Sequence, residues 1–510
     1  MTGPDVIVVG AGSSGCVVAA RLSEDESCSV LLLEAGQIPQ HVEDFPAALL
    51  DGGTVQGAAP HQPINWTFPA ALTPERPYET VRGRILGGSS TINGGYFIRP
   101  RVTDFERWAI DGGPEWSYRR TLPALIAAEA DAEYGRTPVH GDIGPVPVHR
   151  APLAGWAGEA FEAAAAKLGF PPEPDKNDQC PPGFGPVPTN VSRGIRHNAG
   201  MTHLLPALHR PNLSARGGAT ATRLLFAGGR AVGVEYRSQG RSHRAYADRI
   251  VLCAGAIGSA HLLMLSGVGP AEELSRAGVP VLVDSPTVGS SFSDHPQLVV
   301  EWSPRHQQPA APGQWMGGCL HTDDLEVIGT VKPMRALLDP ARAAERAPLA
   351  LMTSVQRPRN TGRLRLASAD ADVPPFVEYG YLRTERDRRD LRDAARLCAE
   401  LLGSAPWRAA RAAGIGIPDT AVRDDRALDS WIAAHLGTSL HTCGTVPFGG
   451  AGSAVDGAGA VRGVEGLTVA DTSILPTAPR RGPAVAALLV GEVIAARLRT
   501  APDPPRAVVR

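Results

Sequence analysis

The chain has 510 residues, with 50 basic and 52 acidic side chains and a formal net charge of −2. Its hydrophobic fraction of 43% is enough for a large core, and Gly and Pro together stay near a fifth of the residues, below the level of low-complexity sequence. The balanced charge argues against a nucleic-acid partner, and at roughly 150 residues per unit the length indicates several structural units.

Seven cysteines are scattered along the chain and are never spaced as C-x-x-C. This pattern argues against a disulfide framework and against a metal site of the zinc type, and it is typical of a reducing compartment. The chain enters the apolar run Val6–Val9 without a basic stretch or a cleavage site, so we expect no signal peptide. The longest apolar stretch, Ala484–Val490, is too short to cross a bilayer. We therefore expect a cytoplasmic protein without a transmembrane segment, with a peripheral membrane contact left open.

Strand, turn, helix and strand patterns follow one another over residues 5–36, and they predict a βαβ unit. Residues 37–81 are rich in proline and predict a long irregular segment. Residues 290–435 carry little periodic signal. Elsewhere the patterns predict a helix near 154–168, a loop at 171–188, strands at Ala231–Tyr236 and Arg249–Cys253, a charged helix near 383–403, and a strand, turn and helix over 466–499.

A glycine-rich turn, Gly10-Ala11-Gly12-Ser13-Ser14-Gly15, follows the first strand and opens the helix. The first glycine permits a tight turn, the second lets a pyrophosphate approach the backbone, and the third lets helix and strand pack closely. The helix N-terminus offers free N–H groups and a partial positive charge to phosphates. Glu34, 19 residues beyond Gly15, is placed to hydrogen-bond a ribose diol. These residues predict a dinucleotide site, but they do not separate NAD from FAD.

Three further segments carry a family resemblance. Gly83–Asn93 matches G-R-x-L-G-G-S-S-x-x-N, and Gly255–Gly269 matches a second motif, with Ala260 where Pro or Ser is usual. Val288–His295 is similar to V-G-x-N-L-x-D-H, with Ser-Phe in place of Asn-Leu. The chain thus resembles the glucose–methanol–choline (GMC) family of FAD-dependent oxidoreductases from residue 5 to about 499, thinly between 300 and 435.

The resemblance implies an α/β (α+β) fold, in which a discontinuous Rossmann-like FAD-binding domain carries an inserted substrate domain built on a mainly antiparallel sheet. The FAD-binding domain would comprise residues 1–100, 188–295 and 435–510, and the substrate domain residues 101–187 and 296–434. FAD is the implied cofactor. The residues expected to hold it are Gly10, Gly12, Ser13, Ser14, Gly15, Glu34, Ala35, Arg84, Leu86, Gly87, Gly88, Ser89, Asn93, Gly94, Asp471 and Gly482.

The segment that begins at His441, H-T-C-G-T, resembles the family's H-P-x-G-T and implies that His441 is the catalytic base. Alcohol oxidation needs flavin N5 as hydride acceptor and a base for the hydroxyl proton. A histidine that titrates near pH 6.5 is largely neutral at pH 7 and can take that proton, so we expect the rate to rise with pH through a group near neutrality. His435, six residues upstream, is expected to be structural.

The chain departs from the family after Asp471. The family reads P-T-x-P-x-x-[H/N], and its last residue hydrogen-bonds the substrate oxygen, but here that residue is Gly482. Either the site has one histidine, or Arg481 is catalytic and stabilises an alkoxide or binds a substrate acid. Restoring His or Asn at position 482 would speed the reaction if the pocket has room. The resemblance implies that a helix predicted over Val485–Leu498 points its positive end at the flavin pyrimidine ring.

Within the family, Ile92–Phe97 and the Pro-Arg-Arg-Gly ending resemble the mycofactocin-associated branch, which is thought to reoxidise reduced mycofactocin and pass electrons toward respiration. The arginine-rich, lysine-poor composition is typical of GC-rich actinobacteria. The expected substrate is a small-molecule alcohol or reduced mycofactocin, with a respiratory electron acceptor as partner. An oxygen-using alcohol oxidase, a hydroxynitrile-lyase-like enzyme without net redox and a non-catalytic cofactor-binding protein stay open. His61 lies where some relatives attach flavin, but we expect a free histidine.

Overall fold

The computed structural model describes residues 3–153, 155–306, 310–339, 347–358 and 361–500. The predicted segments 1–100, 154–168, 296–434 and 435–510 therefore extend in part outside the described residues. The helices are α1 (Ser13–Leu22), α2 (Ala47–Leu50), α3 (Ser89–Ile92), α4 (Val102–Gly112), α5 (Tyr118–Ala128), α6 (Trp156–Lys167), α7 (Gly255–Leu265), α8 (Ala271–Arg276), α9 (Met334–Leu338), α10 (Glu385–Gly403), α11 (Ala405–Ala410), α12 (Asp419–Arg423), α13 (Asp425–His435) and α14 (Ala484–Thr500).

The strands are β1 (Val6–Val9), β2 (Val30–Leu33), β3 (Asn65–Thr73), β4 (Arg76–Gly83), β5 (Glu129–Asp131), β6 (Val146–Arg150), β7 (Phe184–Gly185), β8 (Pro188–Thr189), β9 (Val191–Ser192), β10 (Ile195–Arg196), β11 (Leu213–Arg216), β12 (Thr220–Ala227), β13 (Arg230–Ser238), β14 (Arg241–Tyr246), β15 (Arg249–Leu252), β16 (Val268–Gly269), β17 (Val283–Asp284), β18 (Pro296–Pro304), β19 (Met316–His321), β20 (Leu325–Thr330), β21 (Leu349–Val355), β22 (Arg363–Arg365), β23 (Phe376–Glu378), β24 (Arg411–Ile415), β25 (Gly437–Thr438) and β26 (Leu467–Val469).

A five-stranded parallel sheet carries the glycine-rich turn. Its order is β11–β2–β1–β15–β26, and β1, α1 and β2 confirm the predicted βαβ unit. All four residues of β1 are buried, as expected for a strand that is covered on both faces. The strands come from the beginning, the middle and the end of the chain, so the sheet is discontinuous in sequence.

A second, antiparallel sheet lies in the region that has little periodicity. It has the order β24–β18–β21–β20–β19–β7, and β25 also pairs with β18. Every residue of β19 is buried, and such a strand lacks the alternation that reveals a strand in sequence. The fold class is confirmed by the two sheets, whereas the exact domain boundaries stay a prediction.

The prediction of an irregular segment over residues 37–81 is wrong for its second half. There β3 and β4 pair as an antiparallel hairpin. The prolines do not interrupt the hairpin, since Pro77 lies in β4 at the edge of a four-stranded sheet, where a proline is tolerated. The predicted loop at 171–188 likewise contains β7.

The last helix, α14, packs along α1 and so against the glycine-rich turn. A Cβ at Gly491 would lie 2.8 Å from the Ser14 carbonyl oxygen and from Val17 Cβ, so glycine is what allows the two helices to approach this closely. Of the helices that the described ranges contain, none combines the length and apolar character that a membrane span requires.

A buried cluster of charges stabilises the region around β5 and β6. His140 Nδ1 lies 2.6 Å from Glu129 Oε1, and its Nε2 lies 2.9 Å from Asp175 Oδ2. Arg99 pairs with Glu129 and Arg150 pairs with Asp175. Burial opposes the charged imidazole, but the hydrogen bonds to Asp175 and Glu129 outweigh it and raise the pKa of His140 to about 9.

The protein should therefore lose stability on the alkaline side. Unfolded histidine titrates near pH 6.5, so the contribution of His140 is complete below about pH 6.5 and is lost as the pH rises through its folded pKa of about 9. Urea unfolding at about pH 6 and pH 9.5 measures this loss. A His140→Gln variant has no such proton to release and should show a smaller decrease; an equal decrease in both proteins would contradict the assignment.

Candidate active site

The glycine-rich turn leaves room for a ligand at one position only. Gly10 has φ +101°, and a Cβ there would lie 2.5 Å from the Cys253 carbonyl oxygen, while a Cβ at Gly15 would lie 1.9 Å from the Gly10 oxygen. A Cβ at Gly12, by contrast, would have the Cys253 carbonyl oxygen as its nearest neighbour, at 3.9 Å. Gly12 is also the N-cap of α1 and provides no side-chain cap. The start of α1 thus lies beside a space that protein atoms leave open, and the free N–H groups of a helix start can bind a pyrophosphate there.

The Gly83–Asn93 motif lies directly against this turn. The Gly87 N–H donates to the Ala11 carbonyl at 2.8 Å, and a Cβ at Gly88 would lie 2.8 Å from Gly12 Cα. The Leu86 N–H donates to the Gln37 carbonyl at 3.0 Å. The structure thus brings together two glycine-rich segments whose nearest residues, Gly15 and Gly83, are 68 positions apart in sequence.

Glu34 closes the turn from the end of β2. Its two carboxylate oxygens accept hydrogen bonds from the Ala11 and Gly36 N–H groups, each at 2.8 Å. Burial raises the pKa of this carboxyl, and the backbone donors oppose that effect. Beside it, Arg84 lies over the Trp66 ring, with 4.6 Å between Cζ and the ring centroid. Ala35, which adjoins Glu34, is partly exposed.

Two residues expected to hold the cofactor use their side chains to support the backbone. Ser14 Oγ donates to the Ala487 carbonyl at 2.7 Å and so joins α1 to α14. Asp471 Oδ2 accepts from the Gly255 N–H at 2.9 Å and from Ser259 Oγ at 2.6 Å, which fixes the start of α7. We infer that these two side chains position the backbone of the site and do not themselves contact the cofactor.

Four further residues expected at the cofactor are accessible. Ser13, Ser89, Asn93 and Gly94 all keep accessible surface. Asn93 Oδ1 accepts from the Gly95 N–H at 3.0 Å, and the Gly94 carbonyl accepts from Trp315 Nε1 at 2.9 Å.

His441 is held by a buried aspartate and a second histidine. The backbone N–H of His441 donates to Asp294 Oδ1 at 2.8 Å. The preceding residue, Leu440, has φ +62°, a conformation that only a well-determined turn imposes on leucine. His441 Nδ1 lies 2.9 Å from His295 Nδ1, with the rings nearly perpendicular. Burial lowers the pKa of His441 to about 4; Arg82 adds to this effect and Glu326 opposes it.

Gly482 lies beside His441, as the alignment with the family motif suggests. A Cβ at this position would lie 3.5 Å from His441 Cε1 and 3.1 to 3.2 Å from Cδ1 and Cε1 of Tyr96. A larger residue at 482 would therefore have to displace the Tyr96 ring. The Tyr96 ring thus occupies the space that a His or Asn at position 482 would need.

Arg481 is buried and committed to an ion pair. Its two terminal nitrogens donate to Glu173 Oε1 and to the Lys176 carbonyl, each at 2.6 Å. Lys176 in turn donates to Glu173 Oε2 at 2.7 Å and to His321 Nδ1 at 3.2 Å. This geometry supports a positioning role for Arg481 rather than contact with the substrate oxygen.

Cys319, His321 and Glu326 bring ligand atoms within 4.8 Å of one another, close enough for a metal ion. The Lys176 ammonium lies 3.2 Å from His321 Nδ1, and such a charge opposes a divalent cation there. We therefore treat these groups as a hydrogen-bonded network.

The two GMC oxidoreductase family models match residues 4–297 and 358–491. The chain belongs to the GMC oxidoreductase family. As a GMC oxidoreductase it is an FAD-dependent enzyme that acts on CH–OH groups, and the open position at Gly12 fits that cofactor.

Relatives match this GMC oxidoreductase over nearly its whole length. A GMC-type oxidoreductase of Rhodococcus erythropolis is 37% identical over 501 residues, covering 96% of this chain and 97% of its own. An oxygen-dependent choline dehydrogenase of Chromohalobacter salexigens is 33% identical over 547 residues, covering 99% and 96%. Among solved structures, pyridoxine 4-oxidase from Mesorbium loti has a TM-score of 0.88 at 26% identity and covers 97% of this chain and 99% of its own.

Sequence reasoning named Tyr96 only within the Ile92–Phe97 segment, and it missed His321 and Glu326, which hold the Tyr96 hydroxyl. His295 stood inside a quoted motif, but nothing in the sequence indicated that it faces His441. His61 and His435 are on the surface: His61 lies 2.7 Å from Glu79, and His435 stacks on Trp431.

The open position at Gly12 predicts a selective loss of FAD. Gly12→Ala should fold normally, because no protein atom obstructs the methyl group, but it should bind FAD at least about tenfold more weakly, since the methyl group points into the cofactor space. Titration of apoprotein with FAD, followed by fluorescence, measures the affinity. Gly403→Ala is the matched control, since a Cβ there meets no atom within 4 Å and Gly403 lies outside the glycine-rich turn. FAD binding by Gly12→Ala as tight as by wild type would contradict the placement.

Proposed function

We propose that this GMC oxidoreductase oxidises the CH–OH carbon of a small-molecule alcohol, with His441 as the base that takes the hydroxyl proton. The observation that carries the proposal is an imidazole that is neutral at pH 7, keeps accessible surface, and is fixed through its Nδ1 atom by His295. Bound FAD supplies the hydride acceptor, N5 of its ring system. Cytoplasmic location and the domain boundaries belong to the same proposal.

The histidine pair determines which nitrogen acts. The pKa of His295 is lowered to about 3 by burial and by His441, so both rings are neutral and a single hydrogen lies between the two Nδ1 atoms. We place that hydrogen on His441, which leaves its Nε2 lone pair free for the substrate proton. Once His441 is charged, the Glu326 carboxylate stabilises the imidazolium.

Replacing His441 by Ala should leave FAD bound, because the side chain lies outside the glycine-rich turn, and should slow flavin reduction by roughly two to four orders of magnitude. Anaerobic stopped-flow absorbance measures the rate, with His435→Ala as a histidine control. In wild type the rate should fall only as the pH drops toward about 4, where His441 becomes protonated and can no longer accept a proton. Because burial lowers the pKa of His441, we expect the inflection in the rate near pH 4 and not near neutrality, where the sequence placed it. Flavin reduction in His441→Ala as fast as in wild type would refute the assignment of His441 as the base.

Reoxidation of reduced mycofactocin is a second, narrower candidate. It is supported by the Ile92–Phe97 segment, by the glycine at position 482 and by the 37% identical Rhodococcus relative. The competing oxidase function draws support from relatives named oxygen-dependent choline dehydrogenases.

The electron acceptor separates these candidates. If reduced mycofactocin is the substrate, it should bleach the oxidised flavin band anaerobically, and a quinone or dye should reoxidise the protein much faster than oxygen does. Rapid, stoichiometric peroxide formation would instead contradict the respiratory link. A lyase would turn over its substrate while the flavin stays oxidised.

A further inference from the structure

The space beside His441 that a side chain at position 482 would fill is bounded by Tyr96. The point where a Cβ would lie at Gly482 is in contact distance of both the Tyr96 ring and the His441 ring. Both side chains keep accessible surface, although their neighbours Phe97 and Thr442 are buried. Tyr96 and His441 therefore face a common space.

The Tyr96 hydroxyl is held by a buried carboxylate and a buried histidine. Tyr96 Oη donates to Glu326 Oε2 at 2.6 Å and lies 3.2 Å from His321 Nε2. His321 Nε2 lies 2.9 Å from the same Glu326 oxygen. Glu326 and His321 are 3% and 1% exposed, so no bulk water replaces a missing partner.

The positions of the hydrogens in this network follow from its donors. An ammonium has no acceptor, so Lys176 Nζ donates to His321 Nδ1. Burial lowers the pKa of His321 and keeps the ring neutral, so its hydrogen is on Nε2 and points toward Glu326. Glu326 Oε2 thus has two donors, Tyr96 and His321. The hydroxyl of Tyr96 can turn to another acceptor while His321 still satisfies the carboxylate.

We propose that Tyr96 takes the place of the side chain that position 482 lacks and binds the substrate oxygen together with His441. When the alcohol is bound, the Tyr96 hydroxyl hydrogen turns from Glu326 to the substrate oxygen. The alcohol O–H bond breaks and its proton goes to His441 Nε2, while Tyr96 keeps its own proton and stabilises the negative charge that develops on the oxygen. Glu326 and His321 are positioning residues. The proposal rests on the proposed alcohol oxidation.

Tyr96→Phe tests the hydroxyl, because it keeps the ring that packs against Gly482. It should retain FAD and reduce its flavin about 10- to 100-fold more slowly, with the loss in the limiting rate rather than in substrate affinity. Tyr236→Phe is the control: its hydroxyl also has a hydrogen-bond partner, since it accepts from Arg216, but it lies on β13, outside the site. A Tyr96→Phe protein as fast as wild type would overturn the proposal.

A rescue experiment separates contact with the substrate from a merely structural role. Tyr96→Ala opens the space beside position 482, so adding Gly482→His should recover part of the rate that Tyr96→Ala loses. A double variant no faster than Tyr96→Ala would also overturn the proposal. His441→Ala in the same series identifies the point of failure. If it is slow while Tyr96→Phe is fast, only the role of Tyr96 is wrong; if it is fast, the proposed base is wrong.

Discussion

The candidate site depends on one buried carboxylate, that of Asp294. Its Oδ1 accepts from the backbone N–H groups of His295 and His441 and from Thr438 Oγ1. Its Oδ2 accepts from Thr442 Oγ1. Such charge-assisted bonds are short and strong, and a 1% exposed carboxylate has no water to replace them. Asp294 therefore joins the segment before β18 to the turn after β25, fixes the strained residue before His441, and sets the two imidazoles against each other.

A second constraint is the charge balance among the buried groups that hold Tyr96. Glu173 is ionised, since Lys176, Arg481 and hydrogen-bond donors outweigh burial and lower its pKa below its usual range. For Glu326, hydrogen bonds from His321 and Tyr96 outweigh burial and lower the pKa to about 2. Lys176 and Arg481 both pair with Glu173. Breaking such a buried pair costs about 3–5 kcal/mol, whereas a neutral imidazole needs no such partner. The network thus holds Tyr96, while burial keeps His441 uncharged.

The local parts of this structure could be predicted from sequence, and the long-range parts could not. The turn from Gly10 to Gly15, the βαβ unit and the turn of His441 are contiguous, and each residue type has a local physical reason. Tyr96, His321 and Glu326 come together only when β19 and β20 pair within the second sheet, and a fully buried strand such as β19 has no alternation to reveal it. Burial also shifted the pKa of His441 away from its solution value, which no sequence pattern indicates.

The most direct test of His441 as the base is a crystal structure of the protein with FAD and a tightly bound, non-oxidisable analogue of an alcohol that reduces its flavin. We expect the oxygen of the analogue within about 3 Å of His441 Nε2, with the contact between the two Nδ1 atoms of His441 and His295 intact. An analogue oxygen bound away from His441, or an Nε2 atom that donates to a protein carbonyl, would contradict the account.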